Sequence, residues 1–279
     1  MSGDIASSAD AVRLPPRSPA LLLGVVILLF WIACALFGRR IAPLDPYADN
    51  LLTTLAPPSS AHWFGTDQLG RDVFARVLVG ARDILIVAPL ATLLGTALGV
   101  AFGLIAGYFR GVLDDIASRV IEALQAVPLV IVALTALAAV GTSHAAVVLV
   151  IGFVFMPLIA RTVRAATLNE VDLDYVAAAR LRGDGPVGIM FIEILPNVLP
   201  VVVVEMMVRL GYAIFFVASL SFIGFGIQPP SADWGIAIAE NYSLIGRYWW
   251  TVMFDAAATA SLIIGVNLLA DGLQGLLES

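Results

Sequence analysis

The sequence predicts an all-α polytopic membrane protein with six transmembrane helices, on three observations. The 279-residue chain is 60% hydrophobic and 13% charged, whereas soluble domains are roughly half apolar and a quarter charged. Six apolar stretches are long enough to cross about 30 Å of hydrocarbon. The arginines are shared unevenly among the connections between them, as a fixed orientation requires.

Residues 1–17, rich in Ser, Ala, Asp and Pro with no periodic apolar face, read as a disordered cytoplasmic tail. The first transmembrane helix covers 18–38. Ala33-Cys34-Ala35 resembles a cleavage site, but the apolar run from Ala20 to Phe37 is longer than the about 7 to 15 residues of a signal h-region, so a retained anchor is expected. Residues 39–83 form an extracytoplasmic segment with Pro43, Pro46, Pro57 and Pro58. A five-helix core follows over 84–273, with spans near 84–108, 120–140, 144–160, 194–223 and 249–270. Pro128 and Pro157 are expected to kink the third and fourth spans. Pro196 and Pro200, with Gly211 further along, should bend the fifth.

Orientation follows the short connections. Arg110 and Arg119 lie in the second, and Arg161, Arg164, Arg180 and Arg182 in the fourth; the third has none and the fifth only Arg247. The second and fourth connections and both termini are therefore read as cytoplasmic. Arg39, Arg40, Arg71, Arg76 and Arg82 oppose this pattern, but in a loop of some 40 residues, where charge weighs less. Every one of the 15 basic residues is arginine. Without a lysine the chain has no P-loop, so an ATP-driven role requires another chain.

Gly95, Gly99, Gly103 and Gly107 recur every fourth residue and form one stripe along the second span, suited to close helix packing within the chain or against a partner subunit. Glu205 and Arg209 share a face of the fifth span in the favourable acid-before-base order. Charges at that depth face a bundle interior or a wet cavity. The pair reads either as a self-neutralising strut or as part of a solute pathway. Asp255, beside the aromatic belt Tyr248, Trp249 and Trp250, is expected to snorkel to the interface. His62, His144 and Cys34 show no metal-ligand spacing, and no nucleophile elbow or basic stripe with interleaved aromatics is present; catalytic, metal and nucleic-acid roles lack support.

The most unusual stretch is DYVAAARLRGDGP, residues 174–186, in the connection 161–190. Asp174 is suited to an N-cap, Tyr175 to Arg182 to a short helix, and Gly183 to its left-handed end. Ala177, Ala178 and Ala179 leave a low-relief surface with Arg180 and Arg182 beside it, which suits a protein-docking helix; the other reading, an amphipathic connector lying on the membrane, has only Val176 and Leu181 as apolar candidates.

With Ala177-Ala178-Ala179, then Gly183, then Leu195-Pro196, this loop resembles the cytoplasmic "EAA" loop of ABC importer permease subunits, with Ala177 where the family has glutamate. HWFGTDQLGRDVFARVLVGAR (62–82) resembles the H-x-x-G-T-D-x-x-G-R-D signature of the C-type permease of the dipeptide/oligopeptide (peptide/nickel) family; SLSFIGFGIQPPSADWG (219–235) and NLLADGL (267–273) are similar to two further stretches. The four motifs run collinearly from about residue 60 to the C-terminus.

The resemblance implies a type I ABC importer transmembrane domain in the bacterial cytoplasmic membrane. It implies a B-type permease as heterodimer partner, two cytoplasmic ATPases that bind ATP and Mg, and an extracytoplasmic substrate-binding protein. The chain itself would be non-catalytic and hold no cofactor. Asp174, Tyr175, Ala177, Ala178, Ala179, Arg180, Gly183, Leu195 and Pro196 would belong to the ATPase-coupling loop. Gly65, Asp67, Gly70, Arg71, Asp72, Pro229, Pro230 and Trp234 read either as an outer gate or binding-protein contact, or as residues that only fold the loops. A different class of function is an ion-coupled secondary transporter using Glu205, Arg209 and Asp255.

Overall fold

The structure, a computed structural model, describes residues 19–277; the 1–17 tail lies outside the described residues. In chain order the helices are α1 (Pro19–Ile41), α2 (Val73–Phe109), α3 (Gly111–Gln125), α4 (Leu129–Val140), α5 (His144–Glu170) and α6 (Asp174–Leu181). They continue with α7 (Pro186–Ile223), α8 (Trp234–Asn241) and α9 (Trp250–Leu277). Five of them are long and apolar enough to cross a membrane, and the bent pair α3–α4 is a sixth candidate.

Packing centres on α2 and α5, the most extensive helix pair. The glycine stripe makes that contact. A Cβ on Gly99 would lie 2.7 Å from Ile159 Cβ, one on Gly103 2.7 Å from the Ala160 carbonyl oxygen, and one on Gly107 2.7 Å from Thr167 Cβ. All four stripe glycines therefore face α5 of the same chain. Helix α7 packs on α2, α5 and α9, while α1 lies against α2 and α9 with most of its surface exposed. Gly24 admits α9 closely: a Cβ there would sit 2.8 Å from the Gly265 carbonyl oxygen.

One expectation from hydropathy is corrected. Helix α2 starts at Val73, not near 84, because Asp72 caps it by accepting from the Ala75 amide at 2.8 Å and its charged Arg76 is buried at 2% exposure. Residues 120–140 are not one straight helix: at the kink expected from Pro128, α3 and α4 separate and bend by 85° at residues 126–128. Pro128 brings no amide and disfavours helix at the residue before it. Asp114, Asp115, Arg119 and Glu122 make α3 amphipathic. With 12 residues, α4 rises only about 18 Å.

The fifth span is one continuous helical run, Pro186–Ile223. A π-helical turn, Ile189–Ile194, precedes its α-helical part. Pro196 has no amide for the Ile192 carbonyl and Pro200 none for that of Pro196, which loosens the ladder there.

Candidate functional site

Helix α6 stands between the ends of α5 and α7. Asp174 is not its N-cap. Leu173 takes that position (φ −77°, ψ 153°) with no side-chain hydrogen bond, and Asp174 is the first helical residue, where its charge still complements the helix dipole. The helix ends as expected. Gly183 adopts φ +87° and donates to the Arg180 carbonyl at 3.1 Å, while the Asp184 amide donates to the Ala179 carbonyl at 3.2 Å, a Schellman pair.

The three alanines do not share one outer surface, because successive residues on a helix point about 100° apart. Ala179 is fully buried together with Val176, whereas Ala177, Ala178 and Arg180 are exposed and Leu181 is 90% exposed. One face of α6 is thus locked into the bundle while the other is free. Beyond it, Arg182 pairs with Asp184 at 2.8 Å and Glu193 at 2.5 Å, folding the loop against the start of α7. Leu195 is half-buried and Pro196 exposed, both in α7 just past the π turn.

The elbow between α5 and α6 is tied to neighbouring helices. Arg110, at the α2–α3 corner with φ +50° and ψ −170°, donates to Asp172 Oδ2 at 2.7 Å and to the Leu168 carbonyl at 3.1 Å. That bond holds the Asp172 carboxyl below the usual carboxylate range. Arg164 grips Asp114 with two nitrogens, one at 2.7 Å, and Arg161 reaches Gln125 at 3.0 Å. The Arg180 guanidinium lies over the Tyr108 ring, 5.5 Å from its centre. Tyr175 donates to Glu170 at 2.7 Å; burial, with that bond, pushes its phenol up to about 12. Arg110–Asp172, Arg180–Tyr108 and Tyr175–Glu170 tie α6 or its elbow to α2 and α5, while Arg164–Asp114 and Arg161–Gln125 tie α5 to α3.

Within α7, Arg209 Nε lies 2.6 Å from Glu205 Oε1, with the two side chains 19% and 14% exposed. Arg209 also lies over Tyr212, 5.7 Å from its ring centre. Tyr212, Asn267 and Asp271 supply the polar lining of an adjacent cavity of about 520 Å³ between α7 and α9.

Asp255 does not reach the interface. It is 2% exposed, beside Arg76 rather than the Glu205–Arg209 pair. This corrects the snorkelling expectation, because α2 and α8 cover the position from which α9 would otherwise meet solvent.

The end of the bundle opposite α6 carries the remaining motif residues. Asp67 accepts from the amides of Leu69 (2.9 Å) and Arg71 (3.0 Å) and pairs with the Arg71 guanidinium at 2.7 Å. Arg71 reaches on to Glu240 of α8 at 2.5 Å. Arg76 lies 3.8 Å from Asp67 and 3.9 Å from Glu240. Asp72 meets His62 at 2.9 Å. Gly65 and Gly70 both have positive φ, and a Cβ on Gly70 would collide with the Asn50 carbonyl. Trp234 is buried and donates to the Val77 carbonyl at 3.0 Å; Pro229 and Pro230 are exposed. The Asp67–Arg71 pairing was readable at spacing i,i+4. The links from Arg71 and Arg76 to Glu240 were missed, since the partners lie far apart in the chain and carry no spacing signal. Among the described residues no group of three or more His, Cys, Asp or Glu is disposed to hold a metal.

A family model described as binding-protein-dependent transport system inner membrane component matches residues 99–279. The chain is 38% identical to the dipeptide transport system permease protein of Escherichia coli (strain K12), over 94% of this chain and 89% of that one. It is 34% identical to the probable D,D-dipeptide transport system permease protein of the same strain, over 98% and 91%. To the di/tripeptide transport system permease protein of Pseudomonas aeruginosa (strain UCBPP-PA14) it is 33% identical, over 91% and 86%.

Proposed function

The chain belongs to the family of binding-protein-dependent transport system inner membrane components, and from that membership we propose that it is the permease subunit of an ATP-driven importer of dipeptides, oligopeptides or related solutes. In this reading the end carrying α6 is cytoplasmic, in keeping with Arg110, Arg119, Arg161, Arg164, Arg180 and Arg182 gathered there. A homologous B-type permease completes the pathway. Two ATPases bind ATP and Mg and dock on α6, and an extracytoplasmic binding protein delivers solute to the opposite end, around Gly65–Asp72, Pro229, Pro230 and Trp234.

The observation that carries the proposal is the split character of α6. Val176 and Ala179 fix it to the bundle while Ala177, Ala178 and a 90% exposed Leu181 face outward. A free leucine beside two alanines suits a protein cleft, and the rigid attachment behind it suits transmission of force. Closure of the ATPases shifts the spans between inward-facing and outward-facing arrangements only if the ATPases bind the two states with different free energies. Glu205 and Arg209 belong to the solute pathway in this reading, where a zwitterionic peptide meets complementary charge.

The test is co-purification from native membranes with peptide uptake measured in parallel. Gly183→Trp and Leu181→Asp should lose the ATPases and ATP-driven uptake while the second permease stays bound. ATPase association unchanged in both variants would sink the docking assignment; uptake under an ion gradient without ATP would favour the secondary-transporter class.

A further inference from the structure

Five arginines, Arg39 and Arg40 at the end of α1, Arg71 in the connection that follows and Arg76 and Arg82 in α2, lie on the side that the proposed orientation makes external. Arg71 and Arg76 are accounted for by Asp67 and Glu240. The other three converge on one pocket of about 200 Å³ between the end of α1 and the third turn of α2, whose wall also includes Cys34, Tyr47 and Asp83.

The convergence follows from helix packing. Gly38 lets α1 approach α2 so closely that a Cβ there would sit 2.8 Å from the Leu78 carbonyl oxygen, which sets Arg39 and Arg40 opposite Arg82. None of the three has a carboxylate within ion-pair distance among the described residues; Arg39 only overlies the Tyr47 ring, 5.5 Å from its centre. Asp83, the one acidic residue on the wall, accepts from Ser231 and lies 3.9 Å from His144. The pocket therefore carries an excess of positive charge. Arg39 and Arg40 are also placed to offset the C-terminal dipole of α1. That account does not reach Arg82, which stands inside α2.

Depth identifies the ligand chemistry. Leu36 (70% exposed) and Phe37 (48% exposed) end the apolar outer surface of α1 immediately before the arginines, so the pocket opens where hydrocarbon gives way to headgroups. Guanidinium groups recognise phosphate, free or in a lipid headgroup, through paired, charge-assisted hydrogen bonds. We propose that Arg39, Arg40 and Arg82 form a binding site for a phosphate anion, supplied by the headgroup of an anionic phospholipid or by free phosphate.

The experiment uses the full chain purified with its partner subunits and exposed to mixed micelles of phosphatidylcholine and phosphatidylglycerol, retained lipid being counted by native mass spectrometry. Inorganic phosphate is titrated by calorimetry in a second arm without added lipid. Preferential retention of phosphatidylglycerol, weakened roughly ten-fold or more in Arg39→Gln/Arg40→Gln/Arg82→Gln, establishes the site with lipid as source. Phosphate binding lost in that variant, with no lipid preference, establishes it with the free anion as source. The charge-preserving Arg39→Lys/Arg40→Lys/Arg82→Lys variant should retain part of the binding, and Arg119→Gln/Arg247→Gln all of it. If the glutamine variant assembles and binds both probes as the parent does, or if neither probe binds the parent, the proposal is overturned.

Discussion

Arg110 holds the Asp172 carboxylate at 2.7 Å while standing in a backbone conformation, φ +50° and ψ −170°, that a non-glycine residue adopts only under strain. One residue therefore defines the corner between α2 and α3 and clamps the elbow that leads into α6. With Arg164 on Asp114 and Arg180 over Tyr108, it ties the α2–α3 corner to the proposed docking helix and to the helix that leads into it.

Breaking the clamp should leave stability nearly unchanged, because the pair is solvent-exposed and screened. Coupling should suffer instead. Arg110→Ala and Asp172→Asn are each expected to lower peptide uptake per ATP hydrolysed, with unchanged thermal midpoints, and the Arg110→Asp/Asp172→Arg exchange to recover part of it. Unaltered uptake per ATP in both single variants would show that force does not travel through this contact.

Gly103→Ala should destabilise the bundle by about 1–3 kcal/mol through overpacking, since the new methyl would lie 2.7 Å from the Ala160 carbonyl oxygen and 2.8 Å from Val163 Cβ. The contrast is Gly275→Ala in α9. Nothing stands within 4 Å of its Cβ position, so that change should be neutral or stabilise by up to about 1 kcal/mol. Thermal unfolding of the two variants in detergent decides the matter; equal midpoints would contradict the tight α2–α5 seam.

Much of this was legible in the sequence because it rests on local rules. The glycine stripe, the left-handed Gly183 and the Glu205–Arg209 spacing each depend on residues within one or two turns, and the structure places them accordingly. What escaped depends on contacts between elements. Arg76 lies in helix α2 although it is charged, because Asp67 and Glu240 from other segments surround it. Asp255 looked like an interfacial residue by sequence neighbours, yet its burial is decided by α2 and α8. The break between α3 and α4 was foreshadowed by Pro128, but hydropathy, averaged across the corner, carries no sign of its 85° angle.

Burial pushes the Asp233 carboxyl up to about 6, from an ordinary value of 3.8. A carboxyl with a raised folded-state pKa binds its proton more tightly when folded, so it contributes stability that is full below about pH 4 and lost as pH rises through 6. Asp233 also caps α8 through Oδ1, which accepts from the Ile236 amide at 3.0 Å. An asparagine in its place would keep that acceptor without the charge. Asp233→Asn is therefore expected to match or exceed the parent at pH 7 and to lose the parent's gain in thermal midpoint between pH 6 and pH 4. An identical slope in parent and variant would assign the acid-side change to other groups.

The Glu205–Arg209 pair invites a test that separates a strut from a pathway wall. With the side chains 14% and 19% exposed, removing either charge leaves the other poorly solvated, a loss of about 1–3 kcal/mol; Glu205→Gln and Arg209→Gln should each lower the thermal midpoint. The double variant removes both charges and should lie closer to the parent than the sum of the singles, which a double-mutant cycle measures. That much is expected wherever the pair points. Uptake distinguishes the roles, because a strut acts alike on every solute whereas a pathway wall acts on the solute's own charges. In the double variant the preference for zwitterionic dipeptides over the same peptides with a blocked C-terminus should fall, while ATPase association stays intact. If the preference is unaltered and the cycle still shows coupling, the pair is a strut, and the charge-selective part of the pathway must be sought at Tyr212, Asn267 and Asp271 across the adjoining cavity.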